Sequence, residues 1–164
     1  LRFAVNYLSG FLLTSLLMPA LKSAGPARIV NVASAGQHPI DFADVMLEHA
    51  YDGRRAYAQS KLAQIMFTFD LAQELEGIGI TATCLHPATF MDTTMVRQGG
   101  IQPASTVEEG ADAILNLATS PALAGRTGQY FNGLAPARAN AQAYDGDARA
   151  KLRALSLRLV GLEK

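Results

Sequence analysis

The stretch that decides the fold is Arg28-Ile-Val-Asn-Val-Ala33, a short run of β-branched and apolar residues followed at once by Ser34-Ala-Gly36. This composition is typical of a strand buried in a parallel sheet. Before it, Val5 to Leu21 repeats apolar residues at helical spacing, which predicts a helix buried over much of its circumference. The apolar positions that define this stripe are Val5, Leu8, Leu12, Leu16 and Ala20.

After the strand, helical and strand patterns alternate to the end of the chain. A long loop is expected after Gly36, because the next twenty residues show no sustained period. The later predicted elements are a helix from Arg55 to Glu76, a strand Ile80 to Leu85, a helix over 107–119 that starts with the capping box Thr106-Val-Glu-Glu109, a short edge or last strand Gln129 to Phe131 and an amphipathic helix from Asp147 to Leu159. The alternation predicts a single α/β domain over 1–164, a doubly wound, Rossmann-like parallel sheet.

Composition excludes several classes of protein. The 14 basic and 14 acidic residues give a net charge of zero, so the chain does not bind nucleic acid through a basic surface. Hydrophobic residues make up 49% and charged residues 17%, against about 25% charged in an average domain. The stretch Phe11 to Leu21 is shorter than the roughly 18 residues that span a bilayer. We therefore expect no membrane span and a cytoplasmic protein, a location that the single cysteine also favours.

The chemistry is indicated by Tyr57-Ala-Gln-Ser-Lys61, near the start of the second long helix. A separation of four residues puts the phenol and the ammonium on one helix face, where the lysine charge favours the phenolate. Ser34 follows a buried strand, at the sheet end where ligands bind in α/β folds, so the three side chains converge at one rim. The alternative for this pair is a packed tyrosine beside a solvated lysine. Asn6 is a second anomaly, since a buried amide in an apolar helix needs a hydrogen-bond partner.

These residues resemble the short-chain dehydrogenase/reductase family, and its retinol-dehydrogenase-like branch in particular. The matching stretches, in the family's order, are Val5 to Thr14, Arg28 to Ser34, Tyr57 to Lys61, Leu85 to Ala88 and Gly128 to Phe131. The resemblance implies an oxidoreductase that interconverts an alcohol and a carbonyl of a small hydrophobic substrate with NAD or NADP. It also implies a homo-oligomer.

By the same resemblance, the catalytic residues are Asn6, Ser34, Tyr57 and Lys61. Tyr57 would exchange a proton with the substrate oxygen while a hydride passes to or from the nicotinamide. Ser34 would orient that oxygen. Lys61 would favour the phenolate and hold the cofactor ribose. Asn6 would position a water that relays protons to Lys61.

The segment after the second strand, Pro87-Ala88-Thr89, is expected to contact the nicotinamide, together with Tyr57 and Lys61. Family members usually have Pro-Gly here, and Ala88 departs from that pattern. The departure bears on the nicotinamide contact, because alanine resists backbone conformations that glycine adopts. Thr89 is the first candidate for the contact and Thr93 the second. Residues 90–100 are expected to form a mobile substrate lid.

The first half of the family's nucleotide-binding fold is missing from this sequence. No G-x-G-x-x-G occurs, and the chain begins at Leu1 in what looks like the middle of a helix. We therefore expect a fragment of a longer protein, inactive by itself, with an unpaired edge on the strand Arg28 to Ala33. Two alternatives stay open: a truncated, non-catalytic binding module, and an extended-type epimerase or dehydratase that shares Tyr-x-x-x-Lys.

The other reactive side chains are expected to have structural roles. His38 and His49 lie in the long loop without a partner at metal-binding spacing, so no metal site is predicted. His86 is expected to be a hydrogen-bonded structural histidine, and Cys84 a buried, inert thiol.

Overall fold

The four strands of the chain lie side by side in their sequence order in the computed structural model, which describes residues 1–163. They are β1 (Ala27–Val32), β2 (Ile80–His86), β3 (Gln129–Asn132) and β4 (Ala135–Ala137). The first three are parallel, as predicted, whereas β4 pairs antiparallel with β3. The expectation that β3 is an edge or last strand is wrong, because a two-residue turn that begins at Gly133, with φ of 58°, folds β4 back onto it.

Five α-helices accompany the sheet: α1 (Ser9–Ala24), α2 (Gly53–Glu74), α3 (Thr94–Gln98), α4 (Val107–Thr119) and α5 (Gly146–Leu159). A π-helical turn, Ala4–Leu8, leads into α1. The predicted capping box is present: Thr106 Oγ1 accepts from the Glu109 amide at 3.1 Å, and Glu109 Oε2 accepts from the Thr106 amide at 2.8 Å. The short helix α3 lies inside the segment predicted to be a lid, and no sequence pattern predicted a helix there.

Helices cover both faces of the sheet, which confirms the doubly wound architecture. On one face, α2 packs against β1 and β2, and it also contacts α5 and the π-helical turn. On the other face, α4 packs against β1. The strand β2 contributes side chains to the core on each face of the sheet. Ala82 and Cys84 belong to the core under α2. Leu85 packs with Leu117 and Phe131 under α4. The carboxyl ends of β1 and β2 meet at one rim, where Val32 is paired with Leu85.

The helix α1 is more exposed than its sequence predicts. The buried residues of this region are Phe3, Tyr7, Leu8 and Phe11. Tyr7 and Phe11 pack on Phe67 of α2, and Phe3 packs on Tyr7. Of the stripe predicted to face inward, Val5 is 60% exposed and Leu16 is 63% exposed. The aromatic rings bury more apolar area than the aliphatic side chains, so they set which face turns inward.

The segment Ala4–Ala24 is long and apolar enough to cross a membrane, by length and composition only. Core helices and signal sequences meet the same criterion. The absence of a membrane span therefore stays a prediction.

The strand β1 lies at an edge of the sheet, as predicted. Within residues 1–163, β2 is its only strand partner. The other side of β1 presents unpaired backbone groups of the kind that a further strand could use.

Candidate functional site

The site lies at the edge of the sheet where β1 ends and where α2 begins. Ser34 follows β1 by two residues, and Tyr57 stands in the second turn of α2. The helix starts there because Asp52 caps it: Asp52 Oδ1 accepts a hydrogen bond from the Arg55 amide at 2.6 Å. The long loop between β1 and α2 thus returns the chain to the end of the strand.

Gly36 brings Ser34 and Tyr57 together. A Cβ placed on Gly36 would lie 3.5 Å from Ser34 Oγ and 3.6 Å from Tyr57 Cε1, so the hydroxyl and the phenol ring flank the same glycine. The Gly36 amide donates to Ser34 Oγ at 3.1 Å. Because this amide occupies an acceptor position on the hydroxyl, the Ser34 proton is left to be donated elsewhere.

The backbone of Ser34 is held from a third strand. Tyr130 of β3 donates its phenol hydrogen to the Ser34 carbonyl at 3.2 Å, and Gln37 Nε2 donates to the same oxygen at 3.0 Å. Burial raises the pKa of Tyr130 to about 12, so this phenol stays protonated and remains a donor. Sequence reasoning missed Tyr130, because its contact with Ser34 joins residues far apart in the chain, and it missed Gln37, because no sequence pattern marked that residue.

Lys61 lies one helical turn beyond Tyr57, with its ammonium nitrogen 5.8 Å from the centre of the Tyr57 ring. That nitrogen donates to the Val32 carbonyl at 2.9 Å and to Gln64 Oε1 at 3.1 Å. Burial lowers the pKa of Lys61, because the charged form loses hydration in this position. The predicted Tyr and Lys pair therefore shares one helix face, close to the end of β1.

Asn6 is linked to the site through Ser60. Its Nδ2 donates to Ser60 Oγ at 3.0 Å, and Ser60 Oγ donates to the Tyr57 carbonyl at 2.7 Å. Ser60 is fully buried, and Asn6 lies in the π-helical turn, a distortion that is frequent at functional sites. The amide that the sequence marked as anomalous thus has a buried partner. Ser60 was inside the quoted motif, yet nothing in the spacing marked it.

The segment Pro87-Ala88-Thr89 leaves the end of β2 at the same rim. His86 Nε2 and Thr89 Oγ1 lie 2.9 Å apart, and burial lowers the pKa of His86, as fits the hydrogen-bonded structural histidine that was predicted. Thr89 is exposed, whereas Pro87 is buried. The second candidate, Thr93, caps α3 by accepting from the Val96 amide at 3.4 Å.

An open cavity of about 590 Å³ adjoins Tyr57. It is lined by Arg2, Gly36, Asp52, Gly53, Arg54, Tyr57 and Ala58. Cys84 lies away from it, fully buried in β2, and burial raises the pKa of its thiol to about 12. Cys84 is thus the buried thiol that was predicted.

Comparison with known proteins places this chain in a family. A family model described as short chain dehydrogenase matches residues 2–103. Human "Retinol dehydrogenase 13" is 37% identical over 99% of this chain and 54% of its own length, and human "Retinol dehydrogenase 14" is 37% identical over 100% and 53%. The chain spans about half the length of these curated relatives. A crystal structure of an uncharacterised Mycobacterium paratuberculosis protein superposes with a TM-score of 0.71 at 24% identity, covering 98% of this chain and 59% of that one, and it supports the fold alone.

Proposed function

The chain belongs to the short-chain dehydrogenase family, and on that premise we propose that it supplies the proton-transfer site of an NAD(P)-dependent oxidoreductase that interconverts an alcohol and a carbonyl. The observation that carries the proposal is the placement of Ser34 Oγ and the Tyr57 ring on two sides of Gly36, with the Lys61 ammonium 5.8 Å from that ring. A hydrogen-bond donor, a proton-exchanging phenol and a positive charge are thus gathered at one rim.

Tyr57 is the general acid or base of this proposal. In oxidation the substrate hydroxyl gives its proton to the phenolate oxygen, and in reduction the phenol returns it to the carbonyl oxygen. The charge of Lys61 stabilises the phenolate by Coulomb attraction. Ser34 donates its hydroxyl hydrogen to the same substrate oxygen, since the Gly36 amide leaves that hydrogen unused.

The residues at the rim fit the nicotinamide end of a dinucleotide. Lys61 uses two of its three N–H donors on Val32 and Gln64, which leaves one for a ribose hydroxyl. Thr89 presents an exposed hydroxyl at the end of β2. When bound, the nicotinamide supplies the hydride acceptor or donor. The sequence contains no G-x-G-x-x-G turn for the pyrophosphate, and the residues of the rim are compatible with either NAD or NADP.

The test is Tyr57→Phe in the full-length protein that contains this chain, purified and assayed by NAD(P)H absorbance on a panel of aryl alcohols and the matching carbonyl compounds. Loss of the proton-exchanging group should lower kcat about 10² to 10⁴-fold, with the urea midpoint unchanged. Tyr144→Phe is the control, because Tyr144 packs against Phe69, outside the cavity lining. Undiminished turnover by Tyr57→Phe would remove Tyr57 from the mechanism.

A further inference from the structure

The cavity beside Tyr57 has two chemically different ends. Tyr57 and Gly36 form the reactive end. Arg2 and Arg54 line the other end, where the Arg2 guanidinium carbon lies 3.9 Å from a Cβ placed on Gly53. The sequence predicts a hydrophobic substrate, yet the cavity ends in two guanidinium groups.

From this arrangement we propose that the substrate carries an anionic group, a carboxylate or a phosphate ester, which Arg2 and Arg54 bind while the reacting carbon lies at Tyr57. The inference rests on the proposed function, because it names the substrate class for that site. Guanidinium groups suit carboxylates and phosphates, since their N–H donors match the paired oxygens of such anions.

In the described part of the chain Arg2 and Arg54 form no ion pair, which is also true of Arg28, Arg126, Arg138 and Arg158. Arg2 and Arg54 differ from those four because they line the cavity beside Tyr57. Within residues 1–163, the ion pairs of arginine join Arg55 to Asp41, Arg97 to Asp92, Arg149 to Asp70 and Arg153 to Glu74. Neither Arg2 nor Arg54 takes part in one of them. Both are exposed to the cavity with their charges uncompensated by a direct partner.

The acidic residue of the cavity lining offsets only one of these two positive charges. Asp52 lines the same end, but its Oδ1 accepts from the Arg55 amide at 2.6 Å as the cap of α2. Two guanidinium groups against one carboxylate leave a local excess of one positive charge. The amino-terminal end of α2 adds positive potential in the same direction. An anion is therefore the complementary group for this end.

The position of the arginines assigns the anion to the substrate and not to the dinucleotide. Lys61 lies on the carboxyl side of Tyr57 along α2 and donates to the Val32 carbonyl at the end of β1, whereas Gly53 and Arg54 lie on the amino side of Tyr57. Tyr57 follows Gly53 by four positions in the helix, a rise of about 6 Å along the axis. This is the scale of a benzene ring with a carbinol and a carboxylate at opposite positions.

The experiment compares two alcohols that differ in charge: 4-(hydroxymethyl)benzoate and 4-(hydroxymethyl)benzamide. Their kcat/KM with NAD or NADP and their Kd by calorimetry are measured in the full-length protein that contains this chain, as wild type, Arg2→Gln, Arg54→Gln and the double variant. Arg126→Gln is the control, because Arg126 is exposed and precedes β3, at the opposite ends of the parallel strands. We expect the wild-type protein to favour the benzoate about tenfold or more, and the double variant to lose most of this preference.

The outcomes separate the two proposals. Equal use and equal binding of both alcohols by the wild-type protein would overturn the anionic substrate, as would a double variant that keeps the preference. A rise in KM for the dinucleotide with the benzoate preference intact would assign the arginines to a cofactor phosphate, which also overturns it. Arginine-dependent binding of the benzoate without turnover of any alcohol would support the anion site while contradicting the dehydrogenase function.

Discussion

The two halves of α2 carry different tasks. In the first half, Gly53 to Lys61, only Gln59 and Ser60 are buried, and Tyr57 and Lys61 are half-buried. In the second half, Leu62 to Ala72, nearly every residue is buried, including the polar Thr68. The first half contributes Tyr57 and its neighbours to the lining of the cavity. The second half anchors the helix between the sheet and α5.

This contrast shows how a half-exposed side chain is held in a defined place. The buried half packs on β1 and β2, the strands whose carboxyl ends form the rim. Because a helix is stiff over a few turns, fixing Leu62 to Ala72 also fixes the direction in which Tyr57 points. Precision at the site therefore depends on residues that never touch a substrate.

The largest effect on stability is expected in the buried half, at Ile65. This side chain is fully buried in the core under α2, so Ile65→Ala should lower the free energy of unfolding by about 2 to 5 kcal/mol. Arg54→Gln, an exposed change on the same helix, should cost less than about 0.5 kcal/mol. Urea unfolding measures both. An Ile65→Ala protein as stable as Arg54→Gln would show that the second half does not anchor the helix.

A smaller effect is expected at Ser60, where the two halves meet. Ser60→Ala removes the hydroxyl that links Asn6 to the Tyr57 carbonyl, which should cost about 1 to 2 kcal/mol of stability. It should also lower kcat several-fold, with KM for the dinucleotide unchanged, since Asn6 then loses its fixed position.

Ser15→Ala is the matched control, because Ser15 donates only to the Phe11 carbonyl of its own helix. If both alanine variants lose stability while neither changes kcat, Ser60 has a structural role only.

Local sequence signals predicted most of the fold. The capping box set the start of α4 correctly, because its hydrogen bonds join residues three apart. The apolar run of β1 and the glycines after α2 were equally local. The face of α1 was predicted wrongly, since aliphatic and aromatic stripes compete on one apolar helix and their choice depends on Phe67, which is distant in sequence. The hairpin strand β4 was missed because a strand of three residues carries almost no pattern.

The candidate site divides in the same way. Tyr57 and Lys61 were found by their spacing, and Ser34 by its place after a strand. The assignments of Asn6, Ser34, Tyr57 and Lys61, and of Pro87, Ala88 and Thr89, stay predictions until variants are assayed. The link through Ser60, the hold of Tyr130 on Ser34 and the approach of Arg2 to Gly53 join residues far apart in the chain. Such contacts follow only from the tertiary structure.

The smallest effect is the pH dependence that Lys61 gives to stability. Burial lowers its pKa in the folded protein below the ordinary value of about 10.4, so between these two pKa values the unfolded chain binds more protons than the folded one. The free energy of unfolding should therefore rise with pH in this window. Lys61→Met lacks the contribution, and the difference between wild type and variant should shift in favour of wild type from pH 7 to pH 10.

Lys151→Met, at an exposed lysine of α5, should leave the pH profile of the wild type unchanged. Urea unfolding gives the free energy of unfolding of the wild-type protein minus that of Lys61→Met. If this difference stays constant or falls from pH 7 to pH 10, the Lys61 charge is not buried. At pH values below the window, the buried charge of Lys61 lowers the free energy of unfolding. The same charge lies beside Tyr57. The first half of α2 is thus less stable than it would be with an apolar residue at position 61, and the buried second half compensates for it.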